Sequence, residues 1–378
     1  MKIVIAPDKF KGSLTGFEFC DAVEEGLRTV FPDAEIIKKP LADGGDGTID
    51  VVKQYIKGER ISRTASDPLF RPINTSYILS KDTGIAFIEM AEVSGLKLLS
   101  SKELNCMHTA SLGFGEVIVD AIEKGATELI LGIGGSSTND GGMGMAQALG
   151  FSFLDADGKE LKPVGSSLVE VNKIDTSNVH PKLGHIRVKV ACDVSNPLYG
   201  SQGAALIYGA QKGASKSEIE LLDKGLENYA KVLLETFEVD VQHIKGAGAA
   251  GGMGAGTSVF LNAELVSGID VIKDIADFDA SLENADWVIT GEGKLDDQTF
   301  SGKTIAGVLK SAKQKNIPVA ALCGAITISQ EEASTFGLAY VAAISEGVSS
   351  LEEAMATSYD NLVDAAFNFA KLLEKDKG

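Results

Sequence analysis

The chain carries the run Gly246-Ala247-Gly248-Ala249-Ala250-Gly251-Gly252-Met253-Gly254-Ala255-Gly256. No side chain there is large enough to do chemistry. Such a run has two uses: it lets another backbone approach closely, or it turns bare amides toward an anion. Three further glycine-dense segments add polar groups: Gly132 to Gly142, Asp43-Gly44-Gly45-Asp46-Gly47-Thr48, and Gly291-Glu292-Gly293-Lys294-Leu295-Asp296-Asp297. Glycine loops alternating with acidic loops suggest a phosphate and a divalent cation, and so phosphoryl transfer.

Around these loops the pattern is that of an α/β enzyme. The apolar run Ile3 to Ala6 ends at Pro7-Asp8 and reads as a buried parallel strand. A helix capped by Ser13 or Thr15, a strand at Ala34 to Lys38 and a helix at Thr48 to Lys57 complete a βαβα opening. The alternation returns at Trp287 to Thr290, Thr304 to Gln314, Val319 to Cys323 and Leu338 to Ile344. A long closing helix is expected over Leu351 to Leu373. Between the ends, three strands without intervening helices (Ile61 to Ser66, Ile73 to Leu79, Ile85 to Met90) suit a mixed sheet. Strands at Glu128 to Leu131 and Ile186 to Cys192 each run into a polar loop, and helices are expected at Leu112 to Lys124 and Ser217 to Phe237. The expected architecture is a discontinuous Rossmann-like parallel-sheet domain, residues 1–65 and 282–378. A mixed α/β domain, 66–281, is inserted into it, and a cleft between the two holds the active site.

The net charge of −18 argues against nucleic acid, which needs a basic patch. It also makes each lysine beside a glycine loop matter more, because an acidic protein must cancel its own field to hold an anion. Cys20, Cys106, Cys192 and Cys323 are dispersed, without zinc spacing, and read as free thiols of a cytoplasmic protein. No segment is long and apolar enough to span a membrane, and the start of the chain lacks signal-peptide character.

Several loops carry candidate chemistry. Asp8-Lys9-Phe10-Lys11-Gly12-Ser13 follows the first strand, where ligands of open α/β sheets sit. Asp43 suits magnesium, while Asp46 suits a helix cap. Asp193 is a candidate general base, and Asn196 a candidate ligand for metal or hydroxyl; an Asx-turn into Pro197 explains the same residues. Ser301-Gly302-Lys303-Thr304 is not a Walker A motif, since Asp297 occupies the position of the required glycine. Gly246-x-Gly248-x-x-Gly251 formally matches a dinucleotide fingerprint, with Asp270 nineteen residues beyond; a nucleotide-phosphate loop or a tight backbone crossing fits the surrounding glycines as well.

Taken in order, these segments resemble the type-1 glycerate kinase family over nearly the whole chain. The likeness runs from Ile3 to Asp8 through Leu41 to Thr48, Leu131 to Gly142, Ala191-Cys192-Asp193 with Asn196-Pro197-Leu198, and Gln211 to Ala214. It ends at Gly246 to Gly254 and Val288 to Gly293. The resemblance implies ATP- and Mg²⁺-dependent phosphorylation of D-glycerate, to 2-phosphoglycerate. Under it, Asp193, Lys11 and Asp8 are the catalytic candidates. Gly134, Gly135, Ser136, Lys212, Gly246, Gly248, Gly251, Gly252 and Gly254 are the nucleotide-binding candidates. Ser13 and Asn196 are the candidates for the acceptor, with Asp43 and Asp296 for the metal. Two positions depart from the family pattern: Asp46 stands where glutamate is usual, and Phe114 where threonine is common. The expected partners are glycerate and ATP, with no nucleic acid or membrane and an oligomer possible. An NAD(P)-dependent oxidoreductase resting on the 246–251 glycines, or a phosphometabolite sensor, are the alternatives.

Overall fold

The computed structural model describes residues 1–10, 12–42, 48–296, 299, 304–345 and 350–375. Backbone proximity divides the chain into two compact units: Met1–Tyr55 with Ile269–Gly378, and Ile56–Gly268. The expected joints lay near residues 65 and 281, and two contacts set where these units meet. The strand Glu59–Ser66 pairs over its full length with Pro72–Leu79, which ties it to the middle of the chain. Ile269 lies against Gly307, which ties the helices after it to the C-terminal part.

The unit built from both chain ends holds a parallel five-stranded sheet. Its order is Leu338–Ala343, Val319–Cys323, Trp287–Thr290, Lys2–Ile5, Glu35–Lys38. Counted along the unit this is 5-4-3-1-2, so the strand order reverses between Lys2–Ile5 and Trp287–Thr290. In open parallel sheets, ligands bind beyond the carboxyl ends at such a reversal. The Val319–Cys323 strand is buried throughout, as a central parallel strand must be. The helix Gly16–Arg28 starts at a capping box, Thr15 with Glu18, and buries Phe19, Val23 and Leu27. Its Gly26 meets the helix Ser358–Lys375 so closely that a Cβ would lie 2.3 Å from the Val363 carbonyl oxygen. The expected single closing helix is in fact two, Leu351–Ala356 and Ser358–Lys375. Thr357 leaves helical geometry between them, and the Ser358 hydroxyl bonds back to the Met355 carbonyl.

The middle unit holds a six-stranded sheet in the order Glu264–Val266, Arg187–Ala191, Glu128–Gly132, Ile85–Glu89, Pro72–Leu79, Glu59–Ser66. The first four are parallel and the last two antiparallel, giving the mixed sheet that three unbroken strands imply. The helix Leu112–Glu123 packs on it through Phe114, Val117, Ile118 and Ala121. Phe114 is wholly buried and anchors the helix in the core. Among the described residues, no helix is long and apolar enough to cross a membrane.

Candidate functional site

In the middle unit, the loop after Glu128–Gly132 comes to the surface and then turns inward. Gly134 and Gly135 are exposed, whereas Ser136, Ser137, Thr138, Asn139 and Asp140 are all buried. The Gly135 carbonyl accepts from the Leu96 amide, and the Ser137 amide donates to the Ser94 carbonyl. The amides of Gly134, Gly135 and Ser136 have no hydrogen-bond partner among the described residues. Gly135 has φ +69°. Successive unpaired amides around a left-handed residue form a concavity that suits an anion.

Two buried ionisable side chains hold this loop. Lys212 is only 2% exposed, and its amino group donates to Ser136 Oγ (2.8 Å) and to the Thr138 carbonyl (2.7 Å). Burial pulls its pKa down to about 8, with Cys106 and Asp140 opposing the fall. Asp140 is fully buried, and its carboxylate accepts from the Ser111 amide and hydroxyl, and from the amides of Gly142 and Gly144. Burial raises the Asp140 pKa, and these four donated bonds work against the rise. One carboxylate thus caps the starts of two helices, Leu112–Glu123 and Met143–Ala148. Sequence reasoning did not single out Asp140 or Ser111. The signal for Asp140 was an aspartate followed by two glycines ahead of a helical run; Ser111 had no such signal.

The glycine run Gly246 to Gly256 lies beneath the same loop. It was expected to be a loop, but it leads into the helix Ala249–Phe260, interrupted by left-handed geometry at Ala250, Gly251 and Gly252. A Cβ on Gly251 would lie 2.0 Å from the Thr138 carbonyl oxygen, and one on Gly256 would lie 2.5 Å from that of Gly141. Gly248 crosses the Pro197 carbonyl at 2.2 Å, and Gly254 the Gly246 carbonyl at 2.1 Å by the same measure. Gly246, Gly248, Gly251, Gly252 and Gly254 are buried, and close packing together with left-handed backbone at Gly246, Gly251 and Gly252 gives each a structural reason to be glycine. The run follows a 3₁₀ turn, Val241–His243, whereas a dinucleotide fingerprint follows a strand.

Asp193 and Asn196 follow the Arg187–Ala191 strand. Asp193 Oδ1 accepts from the Gly268 amide at 2.9 Å. Asn196 uses both ends of its amide within the protein, donating to the Gln202 carbonyl and accepting from the Tyr208 hydroxyl. Both bonds close the loop that runs on from Asp193, at a position where the sequence suggested a ligand.

In the unit built from the chain ends, Asp8 and Glu292 stand at the carboxyl ends of the two strands where the order reverses. Asp8 accepts from the Lys9 amide and, at 2.6 Å, from the Thr304 hydroxyl that opens the helix Thr304–Gln314. Thr299 donates a short hydrogen bond to Glu292, and Asp296 is 3.1 Å from Lys294 Nζ. Ser13 Oγ is tied to Ser358 Oγ at 2.5 Å and to the Met355 carbonyl. Its hydroxyl is therefore engaged within the protein. A pocket lined by Asp8, Lys9, Phe17, Leu41 and Val51 opens beside the first strand. Lys11 and Asp43, together with Asp46 and Asp297, lie outside the described residues. Among the described residues, no three acidic, histidine or cysteine side chains gather as a metal cage. Magnesium asks for less, one or two carboxylates with phosphate oxygens, and the oxygen-only donors at Asp296 and Glu292 fit that chemistry.

A sequence model of the glycerate kinase family matches residues 3–374. The chain is 43% identical to glycerate 2-kinase of Escherichia coli strain K12, over 99% of this chain and 98% of that one. It is 42% identical to glycerate kinase of Halalkalibacterium halodurans, over 97% of each. A crystal structure from Salmonella typhimurium LT2, assigned provisionally to glycerate kinase 2, superposes with a TM-score of 0.91 at 41% identity, covering 100% of this chain and 99% of that one.

Proposed function

Because the chain belongs to the glycerate kinase family, we propose that it transfers the γ-phosphoryl group of ATP to D-glycerate, with Mg²⁺, and releases 2-phosphoglycerate. The observation that carries this reading inside the structure is the row of amides at Gly134, Gly135 and Ser136 without partners among the described residues. Phosphoryl transfer is mainly positioning and charge stabilisation, and backbone amides supply both without adding negative charge to an acidic chain.

The roles divide as follows. The Gly134–Ser136 amides hold phosphate oxygens of the nucleotide. Asp193, kept in place by the Gly268 amide, accepts the proton of the attacking hydroxyl. Lys11 neutralises the glycerate carboxylate. Asp8 holds the start of the helix Thr304–Gln314 and stands at the strand reversal, where reactants gather in such sheets. Asp43 and Asp296 are the carboxylates that would hold Mg²⁺, which when bound offsets charge on the phosphates. We assign the glycines from 246 to 254 to supporting the loop from below, since their close crossings leave the exposed Gly134-Gly135 as the better phosphate contact. We further propose that the two compact units are separate domains, and that the protein is cytoplasmic.

The test is ADP release on mixing the protein with Mg-ATP, with and without D-glycerate. ADP release that depends on D-glycerate supports the proposal. Ligand binding without ADP would favour a sensor, and reduction of NAD⁺ by D-glycerate would favour the oxidoreductase.

A further inference from the structure

We propose that Lys212 is a positioning residue for phosphoryl transfer: from beneath the loop it fixes Ser136 and Thr138, so that the Gly134, Gly135 and Ser136 amides face a phosphate together over a positive charge. The proposal rests on the reading that this loop holds nucleotide phosphate.

The backbone of Lys212 is fixed independently of its side chain. Its carbonyl accepts from the Cys106 amide, and Gly213 follows at φ +85°, so close to Leu104 that a Cβ would lie 2.0 Å from that carbonyl oxygen. The head group is fixed by Ser136 and Thr138. A lysine held at both ends in this way is placed to act through the loop. The chemistry of its partners is also informative. A buried charge is ordinarily paired with an opposite one. Lys212 donates to a hydroxyl and a carbonyl, both neutral. Asp140 acts on it only through space, and the Asp140 oxygens are already occupied by Ser111, Gly142 and Gly144. The positive charge is therefore not cancelled by a direct partner, and it sits one side chain below the amides. In a chain of net charge −18 that is a local reversal of sign where an anion would bind.

The experiment uses Lys212→Met, which keeps length and removes charge and donors, and Ser136→Ala, which cuts the same link from the loop side. Wild-type protein must first form ADP in a D-glycerate-dependent way; without that turnover both the functional reading and this proposal fall. Given turnover, folded Lys212→Met should lose about 10²-fold in kcat, with KM for D-glycerate changed less than about threefold. The amide signals of Gly134 and Gly135 should shift on adding ADP to the wild type and stay still in the variant. If wild-type turnover is present but ADP moves neither amide, the loop reading fails alone, and with it the proposal. The double variant should be no worse than Lys212→Met. A folded Lys212→Met with wild-type kcat, or with the wild-type ADP response, overturns the proposal. If Lys212→Met does not fold, Ser136→Ala decides: a fall in kcat without a fall in Tm supports it, and wild-type kcat overturns it.

Discussion

Ser111 gives both its backbone amide and its hydroxyl to one oxygen of the Asp140 carboxylate, each at 2.7 Å, with both residues wholly out of solvent. The Ser111 hydroxyl in turn accepts from the Met145 amide at 2.9 Å. The pair therefore joins two helix starts and fixes the inner end of the candidate phosphate loop.

Removing the carboxylate should be costly. Asp140→Ala leaves the Ser111, Gly142 and Gly144 amides buried without an acceptor, and should destabilise by about 3–5 kcal/mol. Ser111→Ala should cost about 1–3 kcal/mol. Urea unfolding at neutral pH checks both. A loss below about 1 kcal/mol for Asp140→Ala would contradict the bridging role.

The left-handed turn beneath the loop makes a two-way prediction. Ala250 has φ 51° and ψ 38°, a region that costs an L-residue about 1 kcal/mol and glycine little. Ala250→Gly should therefore leave stability unchanged or raise it by up to about 1 kcal/mol. Gly251→Ala must place a methyl 2.0 Å from the Thr138 carbonyl oxygen, and should destabilise by several times as much. Urea midpoints of the two variants, compared with the wild type, decide it.

Burial of Lys212 predicts a pH effect. Its ordinary pKa of 10.5 falls to about 8, and the ionisable groups facing it are Cys106 and Asp140. Between about pH 8 and 10.5 the unfolded chain holds a proton that the folded chain has released. Stability from this group therefore rises with pH across that window, and is lost as pH falls through about 8. The upper bound is about 3 kcal/mol. Buried thiols and phenols titrate nearby with the opposite sign, so the quantity to measure is the difference between the wild type and Lys212→Met at pH 7.5 and 10. The wild type should gain relative to the variant. A flat difference would contradict the buried charge.

Much of the fold was legible because parallel strands announce themselves. Ile3 to Ala6, Trp287 to Thr290 and Val319 to Cys323 are apolar runs ended by polar loops, and each is a strand of the five-stranded sheet. Glycine alone was ambiguous at one place. The 246–256 run has the composition of a ligand loop, but its glycines serve crossings with Pro197, Thr138 and Gly141, partners dozens of residues away. Composition carries no information about which backbone lies opposite. The same limit hid the uses of Asn196 and Ser13, whose hydrogen bonds run to Tyr208 and to the distant Ser358. Asp140 was visible as a residue but not as a bridge, because its partner Ser111 is twenty-nine positions away.

The proposed base predicts a kinetic signature. Asp193→Asn keeps an acceptor for the Gly268 amide and removes the basic group, so turnover should fall by about 10²–10⁴ with little change in KM. Steady-state ADP formation measures it. Near-wild-type kcat would assign the proton to another group.

The central claim is the transfer of phosphate from ATP to one hydroxyl of D-glycerate. Its most direct test is the proton-coupled ³¹P spectrum of a reaction with Mg-ATP and D-glycerate. Phosphate on the central carbon couples to a single proton and gives a doublet, whereas phosphate on the terminal carbon couples to two and gives a triplet. The account predicts a new doublet that grows as ADP appears. A triplet would contradict the assigned hydroxyl, and no new phosphate ester would contradict the claim itself.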